Sequence, residues 1–161
     1  MYFPFLFVFI FLIDFSLSWK MSTKSSVYLG FTDIASHHTQ NLDSVSLVVY
    51  LPEGLLVSSS GVCLGPSTNN VSEYSIVIEL LCEAILHGIH SLEVHLDSQL
   101  VVCHLNGNYH VRNPTLLRRF LRVRLLEWQF YFITYHHIPR SFNYVSDAYA
   151  NFILDWHLSH N

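Results

Sequence analysis

His95-Leu96-Asp97-Ser98-Gln99-Leu100-Val101-Val102 reads as the end of a buried strand, then a carboxylate, then the first turn of a helix. Glu93-Val94-His95-Leu96 is strand-like ahead of the acid, and Leu100, Val101, Cys103, His104 and Leu105 carry an apolar helical pattern behind it. In an open α/β sheet, ligands and reacting groups gather at the carboxyl ends of strands. Asp97 stands at such an end and is able to hold a metal ion there. The same position suits helix capping by Asp97 or Ser98. Acids elsewhere in the chain therefore decide between the two.

Working outward, three strands precede this stretch. Val27-Tyr28-Leu29-Gly30-Phe31 is the first and runs into Thr32-Asp33-Ile34-Ala35-Ser36. Polar residues 36–44 form a loop, and Val45 to Leu51 is the second strand. Pro52-Glu53-Gly54 is a turn signature, so the third strand, Leu55 to about Leu64, folds back as a hairpin. Together they predict a small antiparallel meander. After the loop Gly65 to Asn70, the residues Val71, Tyr74, Ile78, Leu81 and Ile85 recur at helical spacing. Gly88 ends that helix. Glu79 and Glu83 fall on its solvated side, and Glu73 lies beside the apolar stripe in the first turn. Asn70-Val71-Ser72-Glu73 also has capping-box spacing.

Downstream, Asn106-Gly107-Asn108 closes the Asp97 helix, and Pro114 suits the first turn of the next. Leu116, Leu117, Phe120, Val123 and Leu126 mark its apolar side. Phe130 to Ile138 is a strand rich in aromatic and β-branched residues. Asn143 to about Trp156 is a last helix carrying Asp147. Three strands, a helix, a strand, two helices, a strand and a helix imply an α/β fold. Its sheet has five strands, three antiparallel and then parallel, with helices on both faces.

The totals agree with one domain. The chain has 161 residues, 51% of them hydrophobic and 12% charged, which excludes a disordered chain. The net charge of −4 advertises no overall polyanion partner, yet all six arginines lie between Arg112 and Arg140. That local basicity suits contact with a polyanion. Three scattered cysteines, Cys63, Cys82 and Cys103, fit free thiols in a reducing compartment better than a zinc site. Residues 1–13 are apolar throughout but shorter than the ~20 residues of a membrane span. Positive charge first comes at Lys20, behind the run, and no small-residue cleavage site follows. Residues 1–18 are therefore expected to be a leader outside the fold, and residues 27–157 the domain.

Asp33 follows the first strand, Asp97 ends the fourth, Glu73 opens the helix between them, and Asp147 lies near the start of the last helix. If strands one and four are parallel neighbours, these acids share one end of the sheet. Four carboxylates repel one another unless a cation neutralises them. Hard oxygen ligands select Mg²⁺ or Mn²⁺. A pair of such ions about 4 Å apart serves in-line attack of water on a phosphodiester.

The same blocks resemble a type 1 ribonuclease H domain of the kind found in plant long-terminal-repeat retrotransposon polyproteins. Phe31-Thr32-Asp33-Ile34-Ala35-Ser36 is similar to the family's Phe-Asp-Gly-Ala-Ser, and Thr68-Asn69-Asn70-Val71-Ser72-Glu73-Tyr74 to its Thr-Asn-Asn-x-Ala-Glu-Tyr. Leu96 to Val102 resembles its Gly-Asp-Ser-Gln-Leu-Val. His137-Ile138-Pro139-Arg140, then Asn143 and Asp147, resembles its His-Ile-Pro-Arg, Asn and Ala-Asp. The resemblance covers about residues 27–155. It implies a ribonuclease H-like fold and an endonuclease that hydrolyses the RNA strand of RNA–DNA hybrids. Asp33, Glu73, Asp97 and Asp147 would bind two Mg²⁺ or Mn²⁺ ions, and His137 would move protons or aid product release. Nucleic-acid contacts are expected at Thr68, Asn69, Asn70, Ser98, Gln99, Arg112, Arg140 and Asn143, with the asparagines reading 2′-hydroxyls. The chain departs from the family at Ile34, where a Gly is usual, and Ile adds bulk beside Asp33.

An alternative is a catalytically impaired, retrotransposon-derived remnant that binds nucleic acid or a protein partner through the Arg112–Arg140 region. A secreted form would make Asn70-Val71-Ser72 a glycosylation acceptor on the active-site loop. That conflict favours a cytoplasmic or nuclear location. A monomer is expected, with no small-molecule cofactor and no stable membrane partner.

Overall fold

Strand β1 (Tyr28–His37) is the middle of a five-stranded sheet and joins its antiparallel and parallel halves. The computed structural model describes residues 26–37, 42–64 and 68–139. The further elements are β2 (Leu42–Tyr50), β3 (Leu56–Leu64), α1 (Asn69–Leu86), β4 (Ser91–Leu96), α2 (Gln99–Leu105), α3 (Pro114–Glu127) and β5 (Phe132–His137). The strand order is β3-β2-β1-β4-β5. The first three strands pair antiparallel, and β4 pairs parallel with both β1 and β5. The expected meander and mixed sheet are therefore present.

Two boundaries differ from expectation for a physical reason. Both β1 and β2 run on into the polar stretch 36–44, with His37 opposite Leu42. Ladder hydrogen bonds are indifferent to side-chain polarity, so the strands outlast their hydrophobic signal. Asp33 consequently lies inside β1 rather than after it. The second turn is as expected: Gly54 takes a φ of +85° and donates to the Leu51 carbonyl at 2.9 Å.

Gly30 fixes how the helices meet the sheet. A Cβ at this position would lie 3.0 Å from the Leu80 side chain of α1 and 3.4 Å from Leu92 of β4. Positions 30, 32 and 34 of β1 therefore face α1, as period-two alternation requires. Leu92, Val94 and Leu96 of β4 line the same face, with Ile133 and Tyr135 of β5 opposite Leu92 and Val94. Val101, Val102 and Leu105 of α2 and Leu116 and Val123 of α3 join that core. All three described helices lie on this one face. The last expected helix, Asn143 to Trp156, falls outside the described residues, as does the apolar leader. No described helix is long and apolar enough to cross a membrane.

Helix α1 is buried around more of its circumference than the predicted stripe. Ser72, Ile76, Val77, Leu80 and Ala84 are buried in addition to Tyr74, Ile78 and Leu81. It is enclosed by the sheet on one side and α3 on the other. Glu83, expected to be solvated, accepts a short hydrogen bond from Ser58 of β3. That bond, foremost, holds its carboxyl below the usual range. On α3, Leu117 turns outward and shares an exposed stripe with Leu121, Leu125 and Trp128. Asn113 caps this helix, its Oδ1 accepting from Thr115 and Leu116 at 2.9 and 3.2 Å.

A buried hydrogen bond ties α1 to α2: the Tyr74 hydroxyl and His104 Nδ1 are 3.0 Å apart. Burial pushes the Tyr74 phenol up to about 12, against a smaller opposing pull from Arg124. Burial pushes His104 below its ordinary value. A protonated phenol donating to a neutral imidazole satisfies both groups. Replacing Tyr74 with Phe leaves a buried ring nitrogen without its donor and is expected to cost about 1–3 kcal/mol in urea unfolding. The pH dependence has a definite sign. His104 protonates in the unfolded chain first, so stability held above its usual pKa of 6.5 is lost as pH falls below that value. His104→Gln should flatten the stability–pH slope in that acid range.

Candidate active site

The parallel register of β1 on β4 runs from Tyr28 opposite Leu92 to Phe31 opposite His95. Continued two residues further at the same offset, it sets Asp33 level with Asp97. Alternation also puts Phe31 and Asp33 on one face of β1, the face turned away from the helices. The Asp33 side chain is buried, at 1% exposure, opposite the buried Ser46 of β2. Asp97 is half-buried at the bend that follows β4.

Ser98, not Asp97, caps α2. Its hydroxyl accepts from the Val101 amide at 3.4 Å. Asp97 is thereby left out of capping. Glu73 is likewise not a cap. Helix α1 begins at Asn69 with Thr68 as its N-cap residue, so Glu73 is the fifth helical residue, in the second turn. The capping box read at Asn70 is absent because the helix starts two residues earlier than that motif needs. Thr68, Asn69 and Asn70 stand exposed around the helix start, as Gln99 does at the start of α2. Arg112 is exposed just ahead of the α3 cap.

His137 is the last residue of β5, exposed and opposite Leu96. The ladder continues past it, with Ile138 N–H donating to the Leu96 carbonyl at 2.9 Å. By alternation His137 shares the helix-side parity of Leu96. The neighbouring His136 shares the parity of His95 and stacks on it at 5.3 Å. His95 in turn stacks on Phe31 at 4.8 Å. This Phe31–His95–His136 row crosses β1, β4 and β5 two residues short of Asp33 and Asp97 in their respective segments. Burial, then His136, lowers the His95 pKa, against a smaller contrary effect of Glu93. Sequence reasoning passed over His95 and His136; the available signal was their period-two relation to Asp97 and their place in the register.

Asp33 and Asp97 each lie two residues beyond the last observed β1–β4 pair, Phe31 with His95. Glu73 does not close a three-ligand group with them: no cluster of three or more His, Cys, Asp or Glu able to hold a metal occurs among the described residues. Asp147, Arg140 and Asn143 lie outside those residues. The donors present are carboxylates, one of them deeply buried. A buried carboxylate is costly unless compensated, and oxygen donors of this kind match Mg²⁺ or Mn²⁺. In chemistry, then, the pair fits a hard divalent cation.

The division of labour between Asp97 and Ser98 is testable by denaturant unfolding. Ser98→Ala should cost about 1 kcal/mol through loss of the cap, and Asp97→Ala clearly less. The reverse order would return Asp97 to a capping role.

Residues 31–153 match the family model described as reverse transcriptase-like. Ribonuclease HI of Halobacterium salinarum is 34% identical over 126 residues, spanning 78% of this chain and 63% of that protein. The bifunctional protein Rv2228c of Mycobacterium tuberculosis is 35% identical over 100 residues, or 62% of this chain and 28% of that one. The chain therefore spans less than two thirds of either relative. The crystal structure of the Halobacterium RNase H1 superposes with a TM-score of 0.72, covering 80% of this chain and 97% of that one. LC11-RNase H1, solved in complex with an RNA/DNA hybrid, gives 0.72 at 27% identity over 81% of this chain and 99% of that one. Sheet order, matched blocks and relatives agree, and the chain belongs to the reverse transcriptase-like family of ribonuclease H domains.

Proposed function

We propose that this chain is a divalent-metal-dependent endonuclease that hydrolyses the RNA strand of RNA–DNA hybrids. The observation that carries the reading is the β1–β4 register, which pairs Phe31 with His95, two residues before the buried Asp33 on one strand and Asp97 on the other. Similarity to Ribonuclease HI supports the same reaction class.

Asp33 and Asp97 would hold the ions, two Mg²⁺ or Mn²⁺, with Glu73 and Asp147 completing the set. Such ions, when bound, supply an activated water and neutralise charge on the phosphodiester. The chain's own residues do the rest. Ser98 fixes the start of α2 and so the bend that carries Asp97. The exposed Thr68, Asn69 and Asn70 offer amides, hydroxyl and helix N–H groups to the sugar edge of the RNA strand. Ser98, Gln99, Arg112, Arg140 and Asn143 would extend contact along the hybrid. His137, exposed at the strand end, would move protons or aid product release.

Ile34 supports rather than opposes this reading. Its side chain is buried in the core on the helix face, whereas Asp33 has the opposite parity. The added bulk is thus directed away from the acid. Ile34→Ala should lower stability by about 2–5 kcal/mol by leaving a cavity, without raising cleavage per folded molecule. The second reading, a nucleic-acid binder without turnover, draws on one observation: Glu73 stands outside any described metal-competent cluster.

Purified full-length protein is expected to cleave a labelled RNA–DNA hybrid in Mg²⁺ or Mn²⁺ and not in EDTA. Asp33→Asn and Asp97→Asn should each lower the rate by about a hundredfold or more, equivalent to about 2.7 kcal/mol of transition-state stabilisation. Mn²⁺ should also raise the thermal midpoint of wild type, and less so that of either variant. Folded protein that binds hybrid yet leaves it intact in both metals would select the non-catalytic reading.

A further inference from the structure

A cavity of about 320 Å³ opens between α1 and α3, lined by Ser75, Ile78, Glu79, Arg118, Arg119 and Arg122. The four arginines of α3 divide into two kinds. Arg124 is committed to the fold: it pairs with Glu127 at 2.8 Å, donates to the Leu105 carbonyl and lies over the Phe120 ring. Arg118, Arg119 and Arg122 have no carboxylate within 4.0 Å among the described residues. Arg119 is held in place through Ser75 Oγ at 3.5 Å and the Thr115 carbonyl at 3.4 Å. Glu79 is the one acid lining the groove, against three guanidinium groups.

The groove lies along α1 close to that helix's exposed start. Ser75 follows Glu73 by two residues, about 3 Å along the helix axis. Arg119, sixth in α3, meets Ser75, seventh in α1, so the two helices start at the same end of the sheet. Exposed Thr68, Asn69 and Asn70 stand at the start of α1, and exposed Arg112 lies two residues before α3. Guanidinium forks match phosphate oxygens. An uncompensated arginine group of this kind costs stability by self-repulsion unless an anion occupies it.

We propose that this groove holds the phosphate backbone of a nucleic-acid strand running on from the active site, an anchor that contributes to binding and not to bond cleavage. The inference rests on the hybrid-nuclease reading, but its test is separate. Binding of the full chain to a labelled RNA–DNA hybrid is measured in EDTA across a salt series, so no cleavage intervenes. Arg118→Gln/Arg122→Gln alters two exposed side chains and should melt no lower than wild type, since it relieves repulsion. Its log–log salt slope should fall by about 1–2, with affinity about tenfold weaker at moderate salt. Under cleavage conditions KM should rise while kcat is retained. Glu79→Gln should shift affinity the opposite way. An unchanged slope in the double variant overturns the groove and leaves the nuclease reading standing. Wild type that does not bind hybrid at all overturns both.

Discussion

The β1–β4 ladder is the constraint on which the rest depends. A parallel register with a fixed offset places a residue in the middle of one strand beside the residue that ends another. Slipping it by one residue would turn Asp33 onto the helix face and Ile34 onto the other. The register is therefore specified by the core: Ile34, Leu92, Val94 and Leu96 all need the apolar side. Gly30 lets Leu80 of α1 settle against β1 close to this ladder. The apolar packing that selects the register and the placing of the two acids are one event.

The surrounding helices hold that ladder at several points. Helix α1 is anchored to the edge of the sheet by Ser58 and Glu83, and to α2 by Tyr74 and His104. Helix α2 follows directly from Asp97 through the Ser98 cap. Helix α3 reaches β5 through Glu127, which accepts from the Tyr135 hydroxyl at 2.8 Å. Burial, foremost, drives the Tyr135 phenol far above its ordinary range, so it remains a donor. Polar groups in the core are thus used as ties between elements, and a buried carboxylate at Asp33 can be carried at the sheet's end.

Much of this was legible in the chain. Hydrophobic alternation and turn residues located all five strands, and Asp97 and Ser98 could be read together because a strand end and a cap have distinct signatures. Strand ends at His37 and Leu42 were not legible, since backbone pairing there leaves no apolar trace. Glu83 looked solvated because its partner, Ser58, is 25 residues away in β3. Leu117 looked buried because helical spacing gives a stripe but not which edge of it meets a neighbour. The His95–His136 stack needs the register of β4 on β5, which no single segment contains. The four acids were nominated by position along the chain; the offset that relates Asp33 to Asp97 comes only from the pairing of β1 with β4.

The most direct measurement is a crystal structure of the full chain soaked in Mn²⁺, with anomalous scattering locating the ion. The expected result is Mn²⁺ bound by carboxylate oxygens of both Asp33 and Asp97 at the shared end of β1 and β4. An ion held by Asp97 without Asp33, or the two carboxylates pointing apart, would contradict the proposed centre.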